Sequence, residues 1–444
     1  MDNLKQKALF ALEILRSLGA DEAQVSTSDG MLEEFNMDAG EFTLIRSAYS
    51  QSIGMKVIKD RKKGTAAVNS LEEDEIRALA AECMAAAESG APDDAFTVAD
   101  KEENRDFVSG ALKPQKEVFF DSLLRYAADI GREFPEIMLE QMSGAYSFGR
   151  HVVANTKGVL LSETDGEYGV NLTYSAQTEE KTASFNYFGF STLDPAADFM
   201  ELGMSRTMFS RAVAELDASP FEGKFTGTAV FAPGSIDEAV GVITGPFAGG
   251  IAVMEGTSPW KDSLGKQVAS DCFTLREIPY DDRIVNGERI TGDGYCSANY
   301  DIVKNGVLEA FCMGDYTARK TGHKRAPAGG GNIEIVAGDK PLEQCLKNVK
   351  KGVLVCRFSG GSPAANGDFS GVAKNSFLIE DGKITRALSE TMISGNFADM
   401  LRKVEWISAE TLNDGSCILP YVAFGGVTVS GGTVDEAEEE SFEK

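Results

Sequence analysis

Asp237 and Glu238 are adjacent carboxylates in a stretch where Ile236, Ala239, Val240 and Ile243 recur at i, i+3, i+4 and i+7. That spacing predicts a helix with one buried face. Ser235 and Glu238 fit a capping box, the hydroxyl and the carboxylate each satisfying an orphan backbone N–H, and Pro246 should stop the element. An acidic pair there can simply complement the positive end of the helix dipole. It can also be what remains of a metal site. Imidazole is scarce, since His151 and His323 are the only two histidines in 444 residues. A zinc site drawing two or three imidazoles from one helix is therefore excluded. His151, in the alternating run Arg150-His151-Val152-Val153, reads as a strand residue facing solvent, and His323 as part of a polar loop. A thiol hydrolase would need Cys417 or Cys296 as nucleophile with His323 as base, and no local signature surrounds them.

The elements that must position these residues fall into an α+β pattern. A helix at 3–18 ends at Gly19, and β-like runs follow at 23–27, 33–38, 41–48, 51–58 and 64–68, with Gly30 and Gly40 as separators. Ser70-Leu71-Glu72-Glu73 offers a capping box for a second helix that ends near Gly90, completing a helix–meander–helix unit over 1–90. Residues 91–113 are polar and acidic and suit a linker or surface loop. The same order then recurs over 114–216: a helix from Pro114 to Phe134, runs at 136–148, 150–155, 159–164, 167–178 and 181–191, and a closing helix at 195–216. Asn155-Thr156-Lys157-Gly158 and Asp165-Gly166 are the expected hairpin turns. The repeated order suggests an internal duplication, although the residues do not visibly repeat.

From 221 to 434 glycine becomes frequent and strands dominate, which predicts a β-rich C-terminal domain. Lys304-Asn305-Gly306 and Glu380-Asp381-Gly382 mark two hairpins. Short helices are expected at 315–321, 341–349 and 396–403, and final strands at 417–424 and 427–430. Residues 435–444 form an acidic tail.

The formal net charge of −26 argues against direct binding to nucleic acid or an anionic membrane surface, both of which need cations. No stretch has the apolar length of a membrane span, and the first residues lack the pattern of a signal peptide. Seven cysteines without a CxxC pair suit reduced thiols and a cytoplasmic location.

In the C-terminal third, Gly360-Gly361 leads to Asn366-Gly367-Asp368-Phe369-Ser370-Gly371, then to Phe377 through Ile384, and to Thr391-Met392-Ile393-Ser394-Gly395-Asn396. With Asp315 to Lys320 and Ser263 to Ser270, this succession resembles the TldD/PmbA family, named for modulation of DNA gyrase and known for metalloproteases. The layout agrees over essentially the whole chain. In that family the TldD-type subunit carries a His-Glu-Ala-Val-Gly-His metal motif. This chain reads Asp237-Glu238-Ala239-Val240-Gly241-Val242, the middle four residues kept and both histidines replaced. TldD-type chains also supply a late cysteine ligand in a Cys-Gly-Lys segment, whereas Cys417 here is followed by Ile418-Leu419. These departures resemble the PmbA (TldE) branch, which pairs with a TldD-type subunit.

The resemblance implies a subunit of a zinc-dependent peptidase complex acting on unfolded or small peptides. No cofactor is expected in this chain, zinc belongs to a TldD-like partner, and a homodimer is the alternative assembly when the chain stands alone. Asp237, Glu238, Val242 and Cys417 would then be a degenerate site with no catalytic role. In a strand-rich domain, glycines permit close backbone approach by an extended peptide added to a strand edge. Gly360, Gly361, Asp368, Phe369, Ser370 and Asn396 are the contact candidates, against the alternative that they only form turns. Two other functions remain: the thiol hydrolase above, and a regulatory protein whose acidic surface meets a basic protein partner.

Overall fold

The computed structural model describes residues 1–360, 363–389 and 391–431, so Gly361 and the acidic tail 435–444 lie outside the described residues. The chain is α+β, built on two mostly antiparallel sheets. Helix α1 (Asp2–Ser17) buries Leu4, Ala8, Ala11, Leu12 and Leu15, which share one face because of their helical spacing. Strands β1 (Glu22–Asp38), β2 (Glu41–Lys59) and β3 (Lys62–Val68) form a meander, and α2 (Glu73–Ser89) packs on it. After a crossing segment that holds β4 (Arg105–Val108), the order recurs as α3 (Lys116–Glu133), β5 (Ile137–Asn155), β6 (Leu160–Ala176), β7 (Asn186–Thr192) and α4 (Ser205–Ala214).

Strand β1 pairs antiparallel with β5, from Gln24 opposite Asn155 to Asp38 opposite Gln141, so one seven-stranded sheet runs through both units. On β5, Val152 and Ala154 bury against α1 and α2, while Met142 and Tyr146 bury against α3 and α4. All four are even-numbered with no bulge between them, so both helix pairs cover the same face. The odd-numbered face carries Val153 and Leu161 against Ala99, Ile290 and Tyr295, and therefore looks toward the C-terminal half. His151 lies on that face too. It is half-buried beside Ile290, Thr291 and Gly292 rather than in solvent, and burial lowers its pKa.

Several elements depart from the sequence expectation for identifiable reasons. Gly30, Gly149 and Gly166 lie inside β1, β5 and β6, and no hairpin forms at Asp165-Gly166. Two of them admit neighbouring backbone: a Cβ on Gly166 would sit 2.3 Å from the Ala111 carbonyl oxygen, and one on Gly30 3.1 Å from that of Phe148. The turn at Asn155-Thr156-Lys157-Gly158 does form, with Asn155 Oδ1 accepting from the Lys157 and Val159 amides. The helix expected at 195–216 begins only at Ser205, because Gly203 and Met204 hold left-handed φ values of 59° and 56°. Residues 91–113 are a packed strap: Val98 and Ala99 are buried, and β4 pairs in parallel with β6. The capping box at Ser70 is absent; its Oγ accepts from the Glu72 amide at 3.2 Å, and α2 starts without a side-chain cap.

The C-terminal half opens with β8 (Ser219–Pro220), β9 (Lys224–Phe231), α5 (Asp237–Val242) and α6 (Gly250–Met254). Strand β10 (Leu275–Glu277) is followed by the hairpin of β11 (Tyr300–Lys304) and β12 (Val307–Leu308), then by α7 (Asp315–Thr321). Next come β13 (Ile333–Ile335), α8 (Leu342–Leu346), β14 (Lys351–Val355) and β15 (Arg357–Ser359). The chain continues through β16 (Asp368–Lys374), β17 (Ser376–Glu380), β18 (Lys383–Ser389) and β19 (Met392–Asn396). It closes with α9 (Phe397–Leu401), β20 (Val404–Asn413) and β21 (Ile418–Ser430). The last of these is one strand where two were expected, shifted in register at Gly425-Gly426, and it pairs with β9, β13, β19 and β20. Phe231, Ile236, Val242, Phe247, Phe369 and Phe424 meet in a single core beneath it. Burying a side chain of that size contributes roughly 1.5–3 kcal/mol.

Candidate functional site

Helix α5 emerges from the end of β9, between β14 and β21. Its start is pinned from a distance. Ser235 Oγ donates to the Val355 carbonyl at 2.6 Å and lies 3.1 Å from that of Ala232, which ties the helix start to β14; Ser235 stands one residue before the N-cap position, Ile236, and does not cap the helix. The first residue's side chain takes over part of that task, with Asp237 Oδ1 accepting from the Glu238 amide at 3.0 Å. The capping box expected from Ser235 and Glu238 is therefore absent. Pro246 does not stop the helix either; residues Ile243–Phe247 continue it as a wider π turn, in which the Ala248 amide reaches the Ile243 carbonyl at 2.7 Å.

Ile236, Ala239 and Ile243 face the core, as their spacing predicts, with Val240 partly buried against it and Val242, which the spacing did not include, buried in it as well. Asp237 points the other way, into a cavity of about 490 Å³ between α5, the odd face of β6 and the end of α4. Asn171 and Thr173 of β6, Arg211 and Glu215 from α4 and its following turn, Arg357 and Asp414 also line it. Burial, with Glu238 and Asp414 nearby, raises the Asp237 pKa to about 6. Burial likewise pushes Glu215 up to about 7, against hydrogen bonds from Asn186 and Asn375 and the charges of Arg357 and Arg211. Farther along the same face of β6, Glu163 is raised to about 7 by burial and by Asp165, and Asp165 and Glu167 are raised as well. Carboxylates on and near this wall are thus shifted toward the protonated form, Glu215 and Glu163 as far as about 7.

Strand edges flank this cavity. Among the described residues β7 pairs only with β6, and β15 only with β16. Residues 186–189 and Arg357 contribute to the lining, so an extended backbone would meet strand-edge groups on either side, while farther along β7 the Ser191 amide is taken by the Asp414 carbonyl at 2.7 Å.

Cys417 lies near this cluster. Its amide donates to Asp414 Oδ1 at 2.7 Å, and burial, then the charges of Asp414 and Asp237, raises the thiol pKa. The structure thus brings Asp237, Asp414 and Cys417 into one neighbourhood. Val242 does not join them; it is 4% exposed and packed in the core. A hydrolytic zinc needs about three donors and an open position. With an apolar, inward-facing residue at one ligand position, the residues present do not fit a zinc centre of the His-Glu-x-x-x-His kind. Among the described residues, no three His, Cys, Asp or Glu side chains converge as a metal-holding group. The thiols are equally poorly placed for nucleophilic attack, since burial raises all seven, Cys296 to about 12. His323 rests edge-on against Phe311, 4.8 Å between centroids.

The glycine-rich candidates occupy a separate corner. Asp368 and Asn396 are paired across β16 and β19, and Asn396 Nδ2 donates to Asp368 Oδ1 at 2.8 Å. Asn396 also caps α9 by accepting from the Asp399 amide at 3.2 Å. Phe369 is a core residue, 4.6 Å from the Phe397 ring, and Ser370 is exposed opposite Ser394. Gly360 has a φ of +117° and approaches Gly371 closely. None of these lines the Asp237 cavity. Arg211, Glu215, Arg357 and Asp414, which do, were not distinguishable in the sequence, because they come from three distant segments and none sits in a local pattern.

Two family models match this chain: "PmbA/TldA metallopeptidase domain 1" over residues 32–87, and "PmbA/TldA metallopeptidase C-terminal domain" over residues 224–431. The chain is 25% identical to Metalloprotease PmbA of Escherichia coli O157:H7, over 95% of this chain and 96% of that protein. It is 24% identical to a Metalloprotease PmbA homolog of Haemophilus influenzae, again over 95% and 96%. The crystal structure of TldE from Thermococcus kodakarensis shares the fold, with a TM-score of 0.82 at 18% identity, covering 97% of this chain and all of that one.

Proposed function

The chain belongs to the PmbA/TldD metallopeptidase family, and from that premise we propose that it is a PmbA/TldE-type, non-catalytic subunit of a zinc-dependent peptidase complex. The observation that carries this reading is α5: where the family's metal helix presents two histidines, this helix presents Asp237 to a cavity and buries Val242 in the core. A TldD-like partner supplies the metal chemistry. This chain contributes the carboxylate-lined cavity and the strand edges of β7 and β15 beside it, on which an unfolded or small peptide is held by main-chain hydrogen bonds. The test is metal analysis of the purified chain, followed by peptidase assays with and without a TldD-like subunit. The expected result is substoichiometric zinc and cleavage only in the mixture. Tight stoichiometric zinc, or chelator-sensitive cleavage by the chain alone, overturns the assignment.

A further inference from the structure

Arg211 spends only part of its guanidinium inside the protein. Its Nη2 donates to Tyr421 Oη at 2.5 Å, while Nη1 is buried without a hydrogen-bond partner among the described residues. Arg357 lays its guanidinium over the Phe185 ring, 4.5 Å from the centroid, and its Nε is likewise buried and unpartnered. Both line the Asp237 cavity. Glu215 lines it too and is 7% exposed; its Oε2 accepts from Asn375 Nδ2 at 2.7 Å, and its Oε1 is left without a donor. A buried polar group with no partner is costly, and such groups concentrate where something else is meant to complete them.

Two unmet guanidinium donors ask for an oxyanion, and the planar fork of arginine suits a carboxylate or a phosphate. The other charges in the cavity choose between these. Glu215, Asp237 and Asp414 stand beside the two arginines, so a dianion meets more repulsion there than a monoanion does. A singly charged carboxylate on a chain that also carries N–H donors meets a match, because Glu215 Oε1 is free to accept from that chain. We propose that Arg211 and Arg357 form a carboxylate-anchoring subsite in this cavity, which takes the carboxylate of a peptide at its C-terminus or on an acidic side chain. This rests on the reading that the cavity holds peptide, and adds which chemical group fixes the peptide's position and direction.

Three labelled peptides of one neutral Ala/Gly/Ser sequence test this by fluorescence anisotropy on the full chain: a free C-terminal acid, a C-terminal amide, and an amide with one internal Glu. The acid is expected to bind at least tenfold more tightly than the plain amide. Recovery of affinity by the Glu-containing amide identifies a side-chain carboxylate as sufficient, and its failure to recover identifies the terminus; either supports the subsite. Arg357→Gln is expected to erase the preference, and Arg211→Lys, which keeps charge but loses the fork, to reduce it. Equal binding of all three peptides overturns the subsite and leaves peptide holding intact. A preference that survives in Arg357→Gln also overturns it. Absence of binding by any peptide overturns both readings at once.

Discussion

The corner made by β16 and β19 and the cavity wall beneath α5 are both polar, yet they are built in opposite ways. At the corner Asp368 pairs with Asn366 and Asn396, and Asn396 with an amide of α9. Hydrogen bonds from Asn396 and Asn366 hold the Asp368 carboxyl below its usual range. At the wall, the Glu215 carboxyl sits above its usual range because it is buried, and Arg211, Glu215 and Arg357 keep atoms without partners among the described residues. A satisfied network stabilises a fold, and an unsatisfied one stores the capacity to bind. The residues most visible as a family signature thus complete the sheet, while those least visible line the cavity.

Breaking the satisfied corner should have the largest effect. Phe369→Ala removes a ring packed on Phe397 and Phe358 and should cost about 3–5 kcal/mol, read from the urea midpoint. Placing an imidazole where the metal motif has one, Val242→His, buries a polar ring in an apolar core and should cost about 1–3 kcal/mol without creating a tight zinc site. Calorimetric zinc titration beside the denaturation curve checks both halves of that statement.

The carboxylates farther along β6, outside the cavity lining, should respond in the opposite sense. The Glu163 pKa lies near 7 in the fold, above its ordinary value of 4.5. The charged form is therefore disfavoured by folding, and stability falls as pH rises from about 4.5 through 7. Glu163→Gln should stabilise the protein by about 1 kcal/mol at pH 8, after allowance for partial exposure, and by nothing measurable at pH 4. Thermal unfolding at the two pH values reads it directly. Smallest of all, Glu238→Ala should change stability by less than about 0.5 kcal/mol, since the carboxylate caps nothing. A loss above 1 kcal/mol would restore the capping role to it.

Helices with one apolar face were legible: the spacing in α1, α2 and α3 located each within a few residues. Strand continuity was not. Gly30, Gly149 and Gly166 look like breakers in a linear reading, and only the crossing backbone of Phe148 or Ala111 explains two of them. The capping box at Ser235 failed for a related reason, because α5 begins one residue later than the box requires and the Ser235 hydroxyl is oriented by the Val355 carbonyl, 120 positions away. Side chains obey the nearest partner in space, and the sequence reveals only the nearest partner along the chain. That is also why the α5 motif could be found from its residues, whereas Arg211, Glu215 and Arg357 needed the fold to meet.

The four-sided pairing of β21 has a consequence for how the molecule is made. This strand is the seam that joins β9, β13, β19 and β20, yet it is synthesised after all four of them. During translation the N-terminal sheet can close by itself, while everything from β9 onward waits on the ribosome with its central seat vacant. Nascent chains stalled before Ile418 should accordingly expose β9 to proteases and chaperones, and those extended past Ser430 should not.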